Sequence, residues 1–362
     1  MAAEGISLDQ CLDLVNATND DFILDKLSVT LNYPKYEMMN DFLSKRKKTT
    51  AGERYTSNIQ LEDATNGGHV GMLFQNDTSN VNDTDHKVIS EWKRYGNNVS
   101  YDQIQMSINK AYKTKQYDYL KSKKLAMYRK TGDDIQEAGW SVPISSSDAT
   151  SVIGIPGWIT MGTDDSTGGF TGGAGKYLDG TALTVGNLSS TTYPKWNNWY
   201  ADHKGNLDST FLDTLGDANR ATDFEAPIIP AGKIDGVETG MPSKVAYYTS
   251  NNVIKQVEKI ARNSDDRIGH DLGKYAGKTT YKGIPLHYVK LLDTVQAYLW
   301  GTDPLFAINF DMLYPVVLDG WYFNVDQSKN AFSHTVITQY IDLIWLIHCE
   351  NKQMGGFLIS EQ

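Results

Sequence analysis

The sequence predicts a mixed α+β fold that contains long, extended elements, and three patterns carry this prediction. Two strand patterns separated by a polar turn occupy residues 51–100, which predicts a long hairpin. A helical periodicity follows and continues until Trp140 and Pro143. After residue 227, short strand patterns punctuated by Pro and Gly surround one amphipathic helix. Helical and strand patterns therefore occupy separate stretches, as in α+β proteins.

Length and composition are those of a folded protein with more than one core. The chain has 362 residues, of which 40% are hydrophobic and 11% aromatic, so it exceeds one average domain and is not disordered. No apolar run approaches the roughly 18 residues that span a bilayer, and the N-terminus shows no export signal. The two cysteines, Cys11 and Cys349, provide neither a disulfide framework nor a zinc cluster. We therefore expect a soluble protein that is made in the cytosol and contacts no membrane.

Residues 1–50 are predicted to form an extended N-terminal arm with little core of its own. A short helical pattern of Leu8, Leu12 and Val15 precedes the strand-like string LSVTLNYP. The basic run KRKK, residues 45–48, lies near the end of this segment. It is interpreted either as a basic turn in solvent or as part of a surface that faces a polyanion.

Residues 51–100 are predicted to form the hairpin. The string ERYTSNIQL forms the outgoing strand, NDTSNVNDTD the tip and KVISEWKRY the returning strand. A two-stranded ribbon is marginally stable alone in water. We therefore expect the hairpin to lack an intramolecular core and to be stabilised by a neighbouring copy of the chain. The candidate contact residues at its tip are Asn76, Asp77, Asp83 and Asp85.

A long helix is predicted to follow, with apolar residues recurring at three- and four-residue multiples from Tyr117 to Ala138. Its other faces carry basic residues, although the net charge of the whole chain is −10, which argues against a general nucleic-acid binder. The cluster is either a solvated helix face or a surface that faces a polyanion once many copies assemble. Its members are Lys110, Lys113, Lys115, Lys121, Lys123, Lys124, Arg129 and Lys130.

The segment GGFTGGAGKY, residues 168–177, resembles a phosphate-binding loop but lacks two of its groups. Phe170 occupies the position of a required glycine, and Tyr177 that of the hydroxyl residue that holds magnesium. We therefore expect a mobile surface loop and no nucleotide site.

The last part of the chain is predicted to contain two helices and a buried strand. Asn206 or Asp208 caps a helix in NLDSTFLDTLGDANRAT, and a second helix covers residues 251–262 in a separate α+β block, 224–330. The final strand lies in HTVITQYIDLIWLIHCE, whose centre is apolar on both faces and therefore buried.

No constellation of residues requires catalysis. The histidines lack metal-ligand spacing, and no nucleophile elbow is present. The neighbours His348 and Cys349 are interpreted as a core histidine beside an inert thiol rather than as a thiolate pair. We expect neither an enzyme nor a cofactor.

Several strings, in order along nearly the whole chain, resemble one family. They are IGIPGWITMGTDDSTGGFTGGAG, TYPKWNNWYADH, DPLFAINFDMLYPVV and IHCENKQMGGFL. Together with the order of predicted elements, they are similar to segments of tailed-bacteriophage major capsid proteins, the Hong Kong phage capsid fold family. Gly157 departs from a tyrosine of that family's pattern, and Lys352-Gln353 stand where a pair of arginines is usual.

The resemblance implies a division into parts and a function. It implies an N-terminal arm (1–50), an E-loop hairpin (51–100), a peripheral domain with a spine helix (101–223), an axial domain (224–330) and a peripheral return strand (331–362). Hexamers and pentamers of the chain would form an icosahedral head shell around packaged double-stranded DNA, in a virion assembled from protein made in the host cytoplasm. Lys121, Lys123 and Lys124 would face that DNA without sequence preference. Scaffolding, portal and decoration proteins are further partners that the family implies.

Two alternatives stay open at the level of the sequence. One is an encapsulin-like cargo compartment shell, which shares the capsid fold. The other is a cytosolic hydrolase or carbohydrate-active enzyme, with Trp196, Trp199 and Tyr200 as a sugar-binding platform.

Overall fold

The structure is a computed structural model. It describes residues 37–62, 84–102, 104, 113–163, 165–224, 232–234, 237–239, 245–264, 279–325, 329–330 and 336–362. Its residue contacts divide the chain into two groups. The larger group comprises Tyr36–Asn97, Thr131–Val325 and Ile341–Gln362, and the smaller comprises Met1–Lys35, Asn98–Lys130 and Asp326–Tyr340.

The strands and helices are named in chain order. The strands are β1 (Lys47–Thr49), β2 (Arg54–Gln60), β3 (Asp85–Glu91), β4 (Lys93–Asp102), β5 (Gly175–Lys176), β6 (Ala182–Leu183), β7 (Trp199–Asp202), β8 (Gly232–Ile234), β9 (Val237–Thr239), β10 (Val245–Thr249), β11 (Thr280–Tyr281), β12 (Ile284–Tyr288), β13 (Thr302–Asn309), β14 (Leu313–Leu318), β15 (Asn324–Val325), β16 (Lys329–Asn330), β17 (Val336–Cys349) and β18 (Gly356–Glu361). The helices are α1 (Lys113–Gly139), α2 (Ile155–Trp158), α3 (Ser209–Ala221), α4 (Asn251–Ser264) and α5 (Lys352–Gly355).

A six-stranded sheet in the larger group has the strand order β11-β12-β10-β13-β18-β7. Successive residues of its central strands point alternately into two cores, because side chains alternate across a strand. On β10, Tyr247 packs with α3 and α4 residues, whereas Tyr248 packs into the main core. Both residues are buried, so the sheet is a central layer covered on both faces.

A second sheet has the order β1-β14-β17-β15. Strand β14 lies between β1, which is parallel to it, and the end of β17, which is antiparallel. The predicted burial at the centre of β17 is confirmed, since Leu343 and residues 345–347 are buried. In the smaller group, β16 pairs with the beginning of β17.

The predicted helices are present. The long helix α1 ends at Gly139, one residue before Trp140, as the sequence predicts. Asp208 caps α3 by accepting a hydrogen bond from the Thr210 amide, and Oγ of Ser250 lies 3.5 Å from the Val253 amide at the start of α4. Within the described residues, no helix is long and apolar enough to cross a membrane.

The hairpin is confirmed, but the prediction that it lacks an intramolecular core is wrong at its base. Strands β2 and β3 pair in antiparallel register from Arg54 with Glu91 to Gln60 with Asp85. Val88 on β3 is fully buried in the main core, and the Ile89 amide donates to the carbonyl of Gly186. The regular alternation of β3 therefore directs one face of the hairpin into the protein.

The end of the predicted arm is also part of the core. Met38, Phe42 and Leu43 are almost completely buried in the main cluster, and β1 pairs with β14. The expectation of little core is therefore wrong for residues 37–50, while residues 1–36 lie outside the described part of the chain.

The predicted final strand is followed by another. Strand β18 lies between β13 and β7 in the central sheet, so β17 does not end the fold. This sheet combines strands from three predicted segments, 101–223, 224–330 and 331–362. The boundaries between these predicted segments therefore do not coincide with boundaries between sheets.

Candidate functional site

Both strands of the hairpin meet β17 at one side chain, that of His348. The residue is fully buried. Its Nδ1 lies 2.9 Å from Oγ of Ser90 on β3, and its Nε2 lies 2.8 Å from Oγ of Ser57 on β2. Because one imidazole binds both strands, it fixes the base of the hairpin to the end of β17.

The interior keeps this histidine neutral. Burial lowers the pKa of His348 to about 4, because a charged ring is poorly solvated there. Lys47 lowers the pKa further and Glu350 opposes the shift. At pH 7 one ring nitrogen therefore donates a hydrogen bond and the other accepts one, and a serine hydroxyl can take either role.

A polar network lies beside the histidine. Tyr314 on β14 donates a hydrogen bond to Glu350, and Lys47 on β1 forms a 3.1 Å ion pair with the same carboxylate. The hydroxyl of Tyr55 on β2 lies 3.3 Å from that of Tyr314. Burial, together with hydrogen bonds to Glu350 and Tyr55, raises the pKa of Tyr314 far above its usual value. The network joins the hairpin to β1 and β14.

A groove of about 410 Å³ opens at the hairpin base. Its lining combines an apolar floor with charged groups at the base strands, including Ile89, Trp158, Leu183, Leu346, Arg54, Glu91 and Lys93. The indole Nε1 of Trp158 is buried and has no hydrogen-bond partner in the structure. The groove therefore presents apolar walls beside charged side chains.

Of the four predicted contact residues at the hairpin tip, the structure describes only Asp85. Asn76, Asp77 and Asp83 lie outside the described residues. Asp85 is the first residue of β3, is exposed and pairs with Gln60. Their contact with a neighbouring subunit stays a prediction.

The predicted DNA-facing lysines lie on α1. Lys123 and Lys124 are exposed, and Lys121 belongs to the same helix. Tyr128, which the helical pattern placed on the apolar face, is 47% exposed, whereas Ile135 is buried. The surface that these lysines face in an assembly stays a prediction.

The basic run 45–48 is engaged within the chain. Each of its first three cations lies over an aromatic ring. Lys47 and Lys48 are nevertheless exposed, so a role of this run in facing a polyanion stays a prediction. The distances to the ring centroids are 3.8 Å for Lys45 over Phe310, 3.9 Å for Arg46 over Tyr322 and 3.5 Å for Lys47 over Tyr314.

The glycine-rich loop is fixed by backbone hydrogen bonds, so the expectation of a mobile loop is wrong. Gly169 exchanges hydrogen bonds with Tyr200, and the Gly172 amide donates to Asn198. A side chain at Gly172 would meet Asn198 Oδ1 at 2.2 Å. Gly172 therefore allows the loop to lie close to Asn198, the residue before β7.

The residues of the proposed sugar platform are core residues. Trp196 and Tyr200 are fully buried, and Trp199 is 3% exposed. A sugar ring stacks on an exposed aromatic face, so these three residues do not provide such a platform.

The histidine-cysteine pair has the properties expected of core residues. Burial raises the pKa of the Cys349 thiol to about 12, so the reactive thiolate is absent at pH 7. His348 binds the two serines instead. Among the described residues, no group of His, Cys, Asp or Glu could hold a metal ion.

Sequence reasoning missed the partners of His348 and a buried lysine. The two serines lie 291 and 258 positions away, so no local motif could identify them. Lys352 is only 2% exposed, although lysine is rarely buried. The signal in the sequence was that Lys352 stands where the resembled family usually has an arginine.

Comparison with known proteins identifies solved structures that share this fold. No family model and no curated protein matches the sequence. Solved structures do match along almost the full chain. A chain titled "Cyanophage A-1(L) capsid asymmetric unit" has a TM-score of 0.64 at 12% identity, with 96% of this chain and 99% of that chain covered.

Two further matches have similar coverage. The capsid of a native GTA particle has a TM-score of 0.55 at 9% identity and covers 98% of this chain and 99% of its own. The capsid of Myoviridae phage XM1 has a TM-score of 0.53 at 12% identity and covers 99% and 100%. The predicted fold class is therefore confirmed: the chain has the fold of phage capsid proteins.

Proposed function

We propose that this chain is the major capsid protein of a tailed phage and assembles into hexamers and pentamers of an icosahedral head shell. The observation that carries the proposal is the likeness to phage capsid proteins, which covers 96% of this chain and 99% of the cyanophage chain. A match over both full lengths means that the common fold accounts for the whole molecule rather than for one shared domain.

The hairpin has the construction that an overlapping contact needs. Its base is held by His348 and by the burial of Val88. Its paired strands are seven residues long and end at Gln60 and Asp85, and the polar string NDTSNVND, residues 76–83, lies between these two ends in the sequence. A rigid base with a polar end suits a segment that reaches an adjacent subunit, and we assign that role to it. Asn76, Asp77 and Asp83 are the proposed contact residues, with Asp85 at their base.

The remaining parts of the proposal concern the contents and partners of the shell. Double-stranded DNA would be packaged inside, and Lys121, Lys123 and Lys124 of α1 would contact its phosphates without sequence preference. Residues 101–223 and 331–362 would form the peripheral domain, and 224–330 the axial domain at the centre of each capsomer. Scaffolding, portal and decoration proteins would assist assembly, and the mature chain would reside in the virion.

A structural role is proposed in preference to catalysis. The aromatic residues of the sugar platform are buried, and the Cys349 thiol is protonated. Neither of the two enzymatic sites considered from the sequence is therefore available for catalysis. An encapsulin-like compartment would share the fold and differ in its contents.

Size-exclusion chromatography with light scattering tests the proposal. The chain, produced together with any scaffolding protein it needs, is expected to elute as a species of about megadalton mass. Nuclease-protected DNA inside purified particles then distinguishes a virion shell from a cargo compartment. Elution only as a monomer, with hydrolase activity, would favour the enzyme.

A further inference from the structure

The side chain of Lys352 is buried and forms no ion pair within the described part of the chain. The residue begins α5 and is 2% exposed. The nearby carboxylate of Glu350 forms its ion pair with Lys47. The Cys349 thiol is protonated at pH 7, because burial raises its pKa to about 12. A buried charge without compensation is strongly unfavourable, so this position requires a ligand or a neutral amine.

Lys352 lines a small cavity. Its volume is about 20 Å³, which exceeds the roughly 10–15 Å³ that one water molecule needs. Lys352 lines it together with three hydroxyl residues, Thr184, Ser189 and Ser190. The ammonium and the hydroxyl groups are all able to donate hydrogen bonds. A cavity with these donors and a cation suits an anion better than a neutral molecule, because an anion accepts hydrogen bonds and also balances the charge.

The size of the cavity limits which anion fits. A halide occupies little more space than a water molecule, whereas sulfate or phosphate carries four oxygens around its central atom. Apolar residues, including Leu188 and Trp196, form the rest of the lining. These buried residues lower the local dielectric on one side of the cavity and so strengthen the attraction between an ammonium and a bound anion.

We propose that this cavity is a binding site for a monovalent anion of halide size, chloride, held by the ammonium of Lys352 and by neighbouring hydroxyl groups. The site stabilises the packing of α5 against the loop that contains residues 184–190. Binding to the folded chain alone raises stability in proportion to the logarithm of anion concentration. This inference concerns the folded subunit and does not depend on the proposed function.

The test is thermal unfolding of the full-length chain in sodium gluconate, with chloride substituted at constant ionic strength and about pH 6.5. Chloride should raise Tm of the wild-type chain by about 2 °C. Lys352→Met should abolish the response. Lys255→Met, which removes an exposed lysine of α4, should retain it. Sulfate should act equally on all three chains, because it stabilises proteins by exclusion from their surface.

A second measurement needs no variant and applies even if Lys352→Met does not fold. Crystals of the wild-type subunit grown with bromide should show an anomalous peak in this cavity. Equal Tm values in gluconate and chloride for the wild-type chain would overturn the proposal. A cavity that contains only water in the bromide crystals would overturn it as well.

Discussion

At the scale of single residues, the neutral His348 makes stability depend on pH. Its folded pKa of about 4 lies below the unfolded value of 6.5. As pH falls below the unfolded value, the unfolded chain binds a proton and the folded chain does not. Stability is therefore full above about pH 6.5 and decreases until about pH 4, by up to ~3 kcal/mol.

Denaturant unfolding of the unassembled subunit checks this expectation. The free energy of unfolding is measured at about pH 7 and about pH 4.5 for the wild-type chain and for His348→Gln, which has no titrating group. Other carboxylates lower the stability of both chains in acid, so the difference between their pH slopes isolates the histidine. Identical slopes would mean that His348 binds its proton at the same pH in the folded and unfolded chains, so that burial does not lower its pKa.

The glycine-rich loop gives a second prediction at this scale. Gly172→Ala would place a methyl group 2.2 Å from Asn198 Oδ1, which accepts hydrogen bonds from both the amide and the hydroxyl of Thr160. We expect a loss of ~3 kcal/mol, because this buried polar group must move. Gly169→Ala is the matched control, since its nearest contact would be an ordinary 3.6 Å. Equal melting temperatures of the two variants would show that the loop is mobile after all.

The sequence could predict only part of the residue-scale picture. It placed His348 and Cys349 in the core, because the apolar pattern on both faces of β17 requires burial there. It could not assign Ser57 and Ser90 to His348, because the pairing depends on how distant strands fold together. It also treated the glycines as sources of mobility, although close packing against β7 is the other reason for a glycine.

At the scale of elements, the hairpin divides into a base that stabilises the subunit and a tip that does not. Val88→Ala should reduce the free energy of unfolding by ~2 kcal/mol, because Val88 is fully buried. Lys87→Ala, its exposed neighbour, should change stability by less than about 0.5 kcal/mol. Thermal or denaturant unfolding of the two variants measures both values.

Deleting residues 76–83 gives the complementary prediction for the tip. The unassembled subunit should melt within about 2 °C of the wild-type chain, since the deleted sequence is polar and turn-rich. The yield of assembled particles should fall sharply. A large drop in melting temperature would show that the tip belongs to the core of the subunit.

The lysines of α1 provide the prediction for the long helix. Replacing Lys121, Lys123 and Lys124 by glutamine should leave empty-shell assembly intact and lower DNA retention, with a larger effect as salt increases. The control replaces three other lysines, Lys87, Lys255 and Lys259, and so changes the net charge equally. Equal retention in both triple variants would overturn the assignment of α1 to the DNA-facing surface.

Helix periodicity was the most reliable guide at this scale. Trp140 predicted the C-terminal end of α1, and the Asp208 cap predicted the N-terminal end of α3, because both signals act locally. The strand β18 was missed because its string GFLISE is short and follows immediately after α5. The packing of residues 37–50 was missed because it depends on the distant strand β14.

At the scale of the whole molecule, the likeness to the cyanophage capsid chain covers 96% of this chain, while the sequence identity is only 12%. Several large apolar side chains remain exposed in the single subunit, among them Ile144, Val295 and Tyr298. Assembly would bury surface of this kind and would thereby offset the entropy lost on association.

Electron microscopy of purified particles tests the central claim most directly. The full-length chain, co-expressed with its scaffolding protein where one is needed, is expected to form closed icosahedral shells in which each hairpin lies on an adjacent subunit. The contradicting result is a monodisperse monomer under all such conditions, with the hairpin tip, residues 76–83, resistant to protease in that monomer.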